Sequence, residues 1–408
     1  MTIDTSDHFG SGFPADPIAA VTHANPYPYY DFLVTEDPFY YDDRIAMWVA
    51  SSAEAVVNVL TSDLCHVRPH GEPIPKALTG SDAGEIFRHL IRTNDRDGRC
   101  AIKRGVSSSL EAIDAAAVAH ESDVQAQALL NGIESSNDAR RRLSNLAFQS
   151  PVLVIASLLG FGREQQREVC RELVVFVRCL APSCTAEESD AGKSAATQLI
   201  EQFNTLLDNA ATTASGGLLA RLSHDVEVAN GDHRFVVIAN GIGLLFQTYE
   251  ATAGLIGNTL LRLAKNPDLC SLTRKSPELV TRVVSEVLRY DSPVQNTRRF
   301  VARTATIMGN HLRDGDAVLV VLAAANRDPM ANANPEVFDI DREGCRIFTF
   351  GHGSHACPGQ TLAVTIAAQC VARVIESGID LQHLADDVCY RPSANVRIPN
   401  FERESLRS

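Results

Sequence analysis

The sequence predicts a mainly α-helical fold with a minor antiparallel β-sheet, built as one domain. Apolar residues recur at helical spacing over most of the chain. One periodic stretch, 234–265, is unusually long. Strand signals gather in the C-terminal half.

The 408-residue length permits one large domain with a continuous core. Residues 1–24 are rich in Asp, Ser, Gly and Pro and read as a loose N-terminal arm. No low-complexity linker or repeat follows, so 25–408 is expected to be a single compact domain. Ser144 to Leu159, Arg163 to Leu180 and Ala196 to Leu207 carry helical periodicity. The stretch from Arg234 to Lys265 is apolar nearly all round, so it should be a central buried helix. Asn266-Pro267 stops it, and Ser276-Pro277-Glu278 starts the next. Ala305 to Met308 and Ala317 to Leu322 flank Gly309-Asn310 and Asp314-Gly315, the pattern of a small antiparallel sheet. The tail after Cys389 can add a short hairpin.

A net charge of -13 argues against a nucleic-acid partner, because neutralising phosphates needs a basic face. The N-terminus lacks a basic region followed by an apolar run, so no secretory signal is visible. Apolar stretches such as Phe235 to Leu245 are interrupted and shorter than the ~20 residues of a membrane span. A soluble protein is expected. The ten cysteines are scattered without a C-x-x-C pair, which disfavours a zinc ribbon or disulfide framework. Scattered thiols fit a reducing, cytoplasmic location.

Phe350 to Gly359 reads F-G-H-G-S-H-A-C-P-G. Gly351 and Gly353 let the backbone turn tightly beside a flat ligand. Pro358 and Gly359 open an apolar run that looks helical. Cys357 therefore sits before a helix N-terminus, where the dipole and free N–H groups favour thiolate. Such a sulfur can be a nucleophile or a metal ligand. The first needs a base and an orienting group, and His355 lies only two residues away.

This loop resembles the cysteine-ligand loop of the cytochrome P450 family, F-x-x-G-x-x-x-C-x-G, at Phe350, Gly353, Cys357 and Gly359. The resemblance implies the single-domain cytochrome P450 fold, haem b (iron protoporphyrin IX) as cofactor and Cys357 as the iron ligand. Phe350 would pack near the sulfur, and His355 would reach a haem propionate. Glu286 and Arg289 in SEVLRY share a helix face and match the family's E-x-x-R pair, with Arg342 in FDIDR as the third member. Ala325-Asn326-Arg327-Asp328-Pro329 also fits the pattern before the ligand loop. Ser292 to Arg298 matches the segment running past the haem, so Arg298 would hold a propionate, with Arg299 its rival. Arg99 and Lys103 stand where the family's upstream H-x-x-x-R contacts propionates.

The long helix departs from the family's A-G-x-E/D-T. Here Gln247-Thr248-Tyr249-Glu250-Ala251-Thr252 keeps the acid as Glu250 but has Ala251 where the threonine belongs. That alcohol normally assists proton delivery. Thr248, Thr252 through a local bulge and a water, or a substrate hydroxyl could replace it. The expected function is a haem-thiolate monooxygenase that hydroxylates a small organic molecule, in secondary metabolism. Oxidative coupling without oxygen insertion and a non-catalytic haem-binding sensor are the alternatives. No flavin, nicotinamide or iron–sulfur motif is present, so a ferredoxin and its reductase would supply electrons, docking near Arg99, Lys103 and Arg104. The substrate pocket would be lined by His66 to Thr93, read as a loop, by Val174 to Thr197 and by Ser393 to Arg397.

Overall fold

The computed structural model describes residues 12–69, 71–72, 74–95, 99–131, 136–181, 184–212, 217–228, 232–386 and 388–402. The helices are α1 Tyr27–Thr35, α2 Ala53–Thr61, α3 Asp82–His89, α4 Arg99–Glu111, α5 Ala115–Leu130, α6 Ser136–Leu159 and α7 Arg163–Arg178. They continue with α8 Ala186–Thr212, α9 Leu218–Asp225, α10 His233–Ala264, α11 Pro267–Lys275, α12 Leu279–Tyr290, α13 Leu322–Asn326 and α14 Gln360–Glu376. The strands are β1 Phe39–Asp42, β2 Met47–Ala50, β3 Cys65–His66, β4 Thr297–Val301, β5 Ala305–Ile307, β6 Asn310–Leu312, β7 Ala317–Val320, β8 Cys389–Tyr390 and β9 Pro399–Asn400.

The mainly helical class holds. α10 is the long helix expected at 234–265. Asp232 caps it by accepting from Phe235 N, and Asn266 caps α11 by accepting from Leu269 N. It packs against α6, α14, α12 and α3, which makes it the axis of the core. Gly254 lets the C-terminal chain press onto it, since a Cβ there would stand 2.9 Å from the Arg397 carbonyl oxygen.

The sheet differs from expectation. Strand character is not confined to the C-terminal half: β1 and β2 form a hairpin that joins a five-stranded sheet of order β1-β2-β7-β4-β3. β7 runs parallel to β2 and antiparallel to β4, so it does not pair with β5. β5 closes its own hairpin with β6, and β8 pairs with β9 as the tail suggested. The 66–93 segment is not purely a loop, because it contains α3, capped by Ser81.

The arm is packed where it is described. Ala20 and Val21 are fully buried, and Arg397 donates to the carbonyls of Val21, His23 and Ala24. Ala139–Leu159 of α6 meets the length and apolarity of a membrane span, contrary to the reading of the sequence. Burial of 67% of that stretch inside the fold accounts for its composition as core.

Candidate functional site

The turn before α14 is shaped by two left-handed glycines, Gly351 at φ 73° and Gly353 at φ 67°. Gly351 N donates to the Phe348 carbonyl (2.7 Å), Ala356 N to Gly353 (3.0 Å) and Cys357 N to Phe350 (2.8 Å). A Cβ on Gly353 would come within 3.2 Å of the Leu60 carbonyl oxygen, so the turn is also seated tightly on α2. Gly359 is the N-cap residue of α14, and a Cβ there would meet only Cys357 Sγ, at 3.8 Å.

Two buried networks hold this turn. Asn326 accepts from Phe348 N (2.6 Å) and donates to Thr349 Oγ1 and the Leu288 carbonyl. Asn332 ties Arg346 to Asn326 through its own amide. Behind them Arg289 clasps both Glu286 oxygens (2.6 and 3.0 Å) and donates to the carbonyls of Pro335 and Val337. Arg342 Nε reaches Glu286 at 3.4 Å, and Asp339 N donates to it. The expected Glu286–Arg289–Arg342 triad is therefore assembled. Asn326 and Asn332 are a further lock; Asn326 stood in the quoted ANRDP pattern, but nothing along the chain showed its partners.

Between this turn and α10 lies a cavity of about 650 Å³, largely apolar, bordered by Phe350, Cys357 and Gly359 on one side and by Gln247, Thr248, Ala251, Thr252 and Leu255 on the other. Cys357 is crowded by protein, yet its thiol is accessible because it faces this space. Burial pushes the thiol up, against the Gly359 N–H, Arg92 and Lys103. The helix dipole, expected from the sequence to favour the thiolate, does not prevail here. In the protein alone desolvation wins, and a cation bonded to the sulfur would reverse that balance.

On α10, Thr248 Oγ1 donates back to the Leu244 carbonyl (2.7 Å) and Gln247 Nε2 to Gly243 (2.7 Å). Thr252 is largely covered and borders the cavity, and its hydroxyl makes no hydrogen bond to a described residue. The helix is regular α throughout 233–264, so no bulge re-aims Thr252. Glu250 does not border the cavity. Burial pushes its carboxyl above the usual range, against the pull of Arg391 and Arg92.

The cations are distributed unevenly. Lys103 Nζ donates to the carbonyls of Ser354 (2.5 Å) and Ala356 (2.8 Å), which ties α4 to the cysteine turn. His355 Nε2 pairs with Asp95 Oδ1 at 2.9 Å. Burial opposes the Asp95 charge, but His355 and the Val67 N–H hold its carboxyl below the ordinary value. Arg298 and Arg299 both border the cavity from β4; Arg298 is exposed, whereas Arg299 is buried and donates to Thr297 Oγ1 and the Arg298 carbonyl. Arg99 opens α4, and its side chain lies outside the described residues. Among the described residues of the three expected pocket segments, those of 66–93 contribute, such as Val67, Phe87 and Arg92, whereas those of 174–197 and 393–397 do not border the cavity. Arg397 is instead a buried structural arginine, bound to Asp291 at 2.9 Å.

The Cytochrome P450 family profile matches residues 269–377, which contain α12, the triad and the cysteine turn. The chain is 25% identical to the biotin biosynthesis cytochrome P450 of Bacillus subtilis over 377 residues, 91% of this chain and 94% of that protein. It is 33% identical over 258 residues to cytochrome P450 107B1 of Saccharopolyspora erythraea, an alignment spanning 62% of each chain. The vitamin D(3) 25-hydroxylase of Pseudonocardia autotrophica is likewise 33% identical, over 62% of each. The fold matches the crystal structure of CalO2 with a TM-score of 0.78 and 24% identity, covering 94% of this chain and 96% of that one.

The chain belongs to the cytochrome P450 family. As a P450 it is an oxidoreductase of the monooxygenase class, with haem b as its cofactor. The cavity fits that group. It offers one accessible sulfur beneath an apolar space, with arginines at its edge suited to the two haem propionates. Nothing but the cysteine sulfur approaches the position a Gly359 side chain would take, so a flat ring can lie close to the turn.

Proposed function

We propose that this P450 hydroxylates a small organic molecule, in secondary metabolism, using electrons from a separate ferredoxin and its reductase. The observation that carries the reading is the cavity itself, with Cys357 on one wall and an unbonded Thr252 hydroxyl on the other. Cys357 Sγ is the iron ligand. Arg299, buried beside the cavity, is the stronger propionate partner, and Arg298 the outer one. Lys103 and His355 act through the turn: the first neutralises two of its carbonyls, the second latches it to Asp95. Bound here, haem supplies the oxidising centre that transfers one oxygen atom of dioxygen to the substrate.

The chain contributes proton handling and exclusion of water. Glu250, on α10 but outside the cavity lining, has its carboxyl raised by burial and is the acid placed to relay protons. Thr252 Oγ1 is free to donate into the cavity, while Thr248 Oγ1 must first leave the Leu244 carbonyl. Thr252→Ala is therefore expected to lower the product formed per NADPH by roughly 10-fold or more, since lost general acid assistance typically slows a step by about 10²–10⁴-fold. Thr248→Ala should change it by about twofold at most. Equal coupling in Thr252→Ala and the unmodified protein would remove Thr252 from the mechanism. Ala251 favours a second reading, oxidative coupling without oxygen insertion. Incorporation of labelled oxygen from dioxygen into product separates the two.

Arg104 is exposed on α4, next in sequence to the Lys103 that reaches the cysteine turn, and suits an acidic ferredoxin. Arg104→Glu should slow reduction by ferredoxin about 10-fold at low salt, with the gap narrowing at high salt. Unchanged stopped-flow reduction rates would move the docking face elsewhere. The ten cysteines are all free thiols, which supports a reducing, cytoplasmic setting.

A further inference from the structure

The cavity is cationic in an acidic protein. Among the described residues, five that border it, Arg68, Arg92, Lys103, Arg298 and Arg299, carry positive charge, and Glu72 is the one carboxylate beside them. Haem brings two propionates, so cations remain in excess. Most are committed. Arg68 donates to the Glu72 carbonyl at 2.9 and 3.1 Å, Lys103 serves the cysteine turn, and Arg298 and Arg299 lie together on β4.

Arg92 differs from the rest. It rides on a short turn, Ile91–Thr93, clamped to α10: Asn240 accepts from Ile91 N (3.0 Å) and donates to the His89 carbonyl (3.0 Å). Its guanidinium is hemmed in by protein but opens onto the cavity, 5.8 Å from the Phe246 ring. Among the described residues it has no hydrogen-bonding or carboxylate partner. Burial depresses this arginine, and Cys357 and Glu250 offset that only at a distance. A fork of donors that opens onto the cavity from a clamped turn, with protein packed around it and no acceptor of its own, suits an incoming carboxylate.

We propose that Arg92 binds a carboxylate on the substrate, so that the enzyme oxidises an organic acid whose charged end is held at the α10 side of the cavity. This rests on haem binding in the same cavity. The rival source of the same chemistry is a haem propionate.

The test uses the haem-loaded protein and an imidazole N-linked to hexanoic acid, beside its methyl ester. Imidazole ligation of the iron anchors both probes and shifts the Soret band, whatever the natural scaffold. The acid should bind on the order of 10- to 100-fold more tightly than the ester. Arg92→Gln should reduce that preference to about twofold, leaving ester affinity and haem content unchanged, and Arg92→Lys should restore part of it. Equal binding of acid and ester, with shorter and longer linkers as well, overturns the proposal. So does a preference that survives Arg92→Gln. Loss of haem from Arg92→Gln, with Arg92→Lys keeping haem but showing no acid preference, would assign Arg92 to a propionate instead. Failure of the unmodified protein to bind haem would sink the P450 chemistry, a result distinct from any of these.

Discussion

Cys357→Ser is expected to abolish the strongly red-shifted Soret band of the reduced, carbon-monoxide-bound protein and all monooxygenase turnover. The sulfur, the proposed iron ligand, is the atom that the turn presents to the cavity, its backbone fixed by the Cys357 N–H bond to Phe350 and the left-handed glycines before it. Serine preserves the size and the backbone geometry, so loss of the spectrum isolates the sulfur. A hydroxyl resists deprotonation more than a thiol, and it lacks the electron release that favours O–O cleavage in thiolate-ligated haem proteins. The burial that pushes the Cys357 thiol up sharpens the point, because a cation bonded to the sulfur would favour the thiolate against that burial. A red-shifted band retained by Cys357→Ser would refute the ligand assignment.

Glu286→Gln is expected to be the most damaging substitution outside the cavity. Arg289 is fully buried, and among the described residues Glu286 supplies the one negative charge it contacts. Removing that charge leaves a buried guanidinium uncompensated, at a cost of about 3–5 kcal/mol. Total stabilities of ~5–15 kcal/mol leave little beyond that. The carbonyls of Pro335 and Val337 would keep their Arg289 bonds, but Asp339 N and Arg342 would lose a full acceptor charge. Denaturation midpoints and haem retention should both fall sharply. Asp341→Asn is the contrasting control, since the Arg282–Asp341 pair is half exposed on both sides and worth about 1 kcal/mol or less. Equal midpoints for the two variants would show that the triad is dispensable.

The parts of this protein legible from its sequence share one property, which is that their partners lie close along the chain. The cysteine turn needs two glycines, a cysteine and a helix start within ten residues. Glu286 and Arg289 meet because three residues bring a helix round to the same face. The length and burial of α10 follow from its apolar pattern and from Asn266-Pro267 at its end. In each case geometry within one element fixes the outcome.

Tertiary structure decided the rest. β2 finds β7 some 270 residues away, and neither strand announces that the pairing is parallel. The sequence counted cations without knowing their targets. Only the fold sends Lys103 to the carbonyls of Ser354 and Ala356, His355 to Asp95 and Arg397 to the N-terminal segment. The distal hydroxyls divide for the same reason. Thr248 and Thr252 look alike on paper, but the first is spent on the Leu244 carbonyl and the second is not. Sequence alone pointed to haem as the cofactor and to Cys357 as its proposed ligand, because a ligand loop is a local structure. What meets that chemistry across the cavity, Thr252 and Arg92 above all, depends on segments that burial and hydrogen bonding bring together from far along the chain.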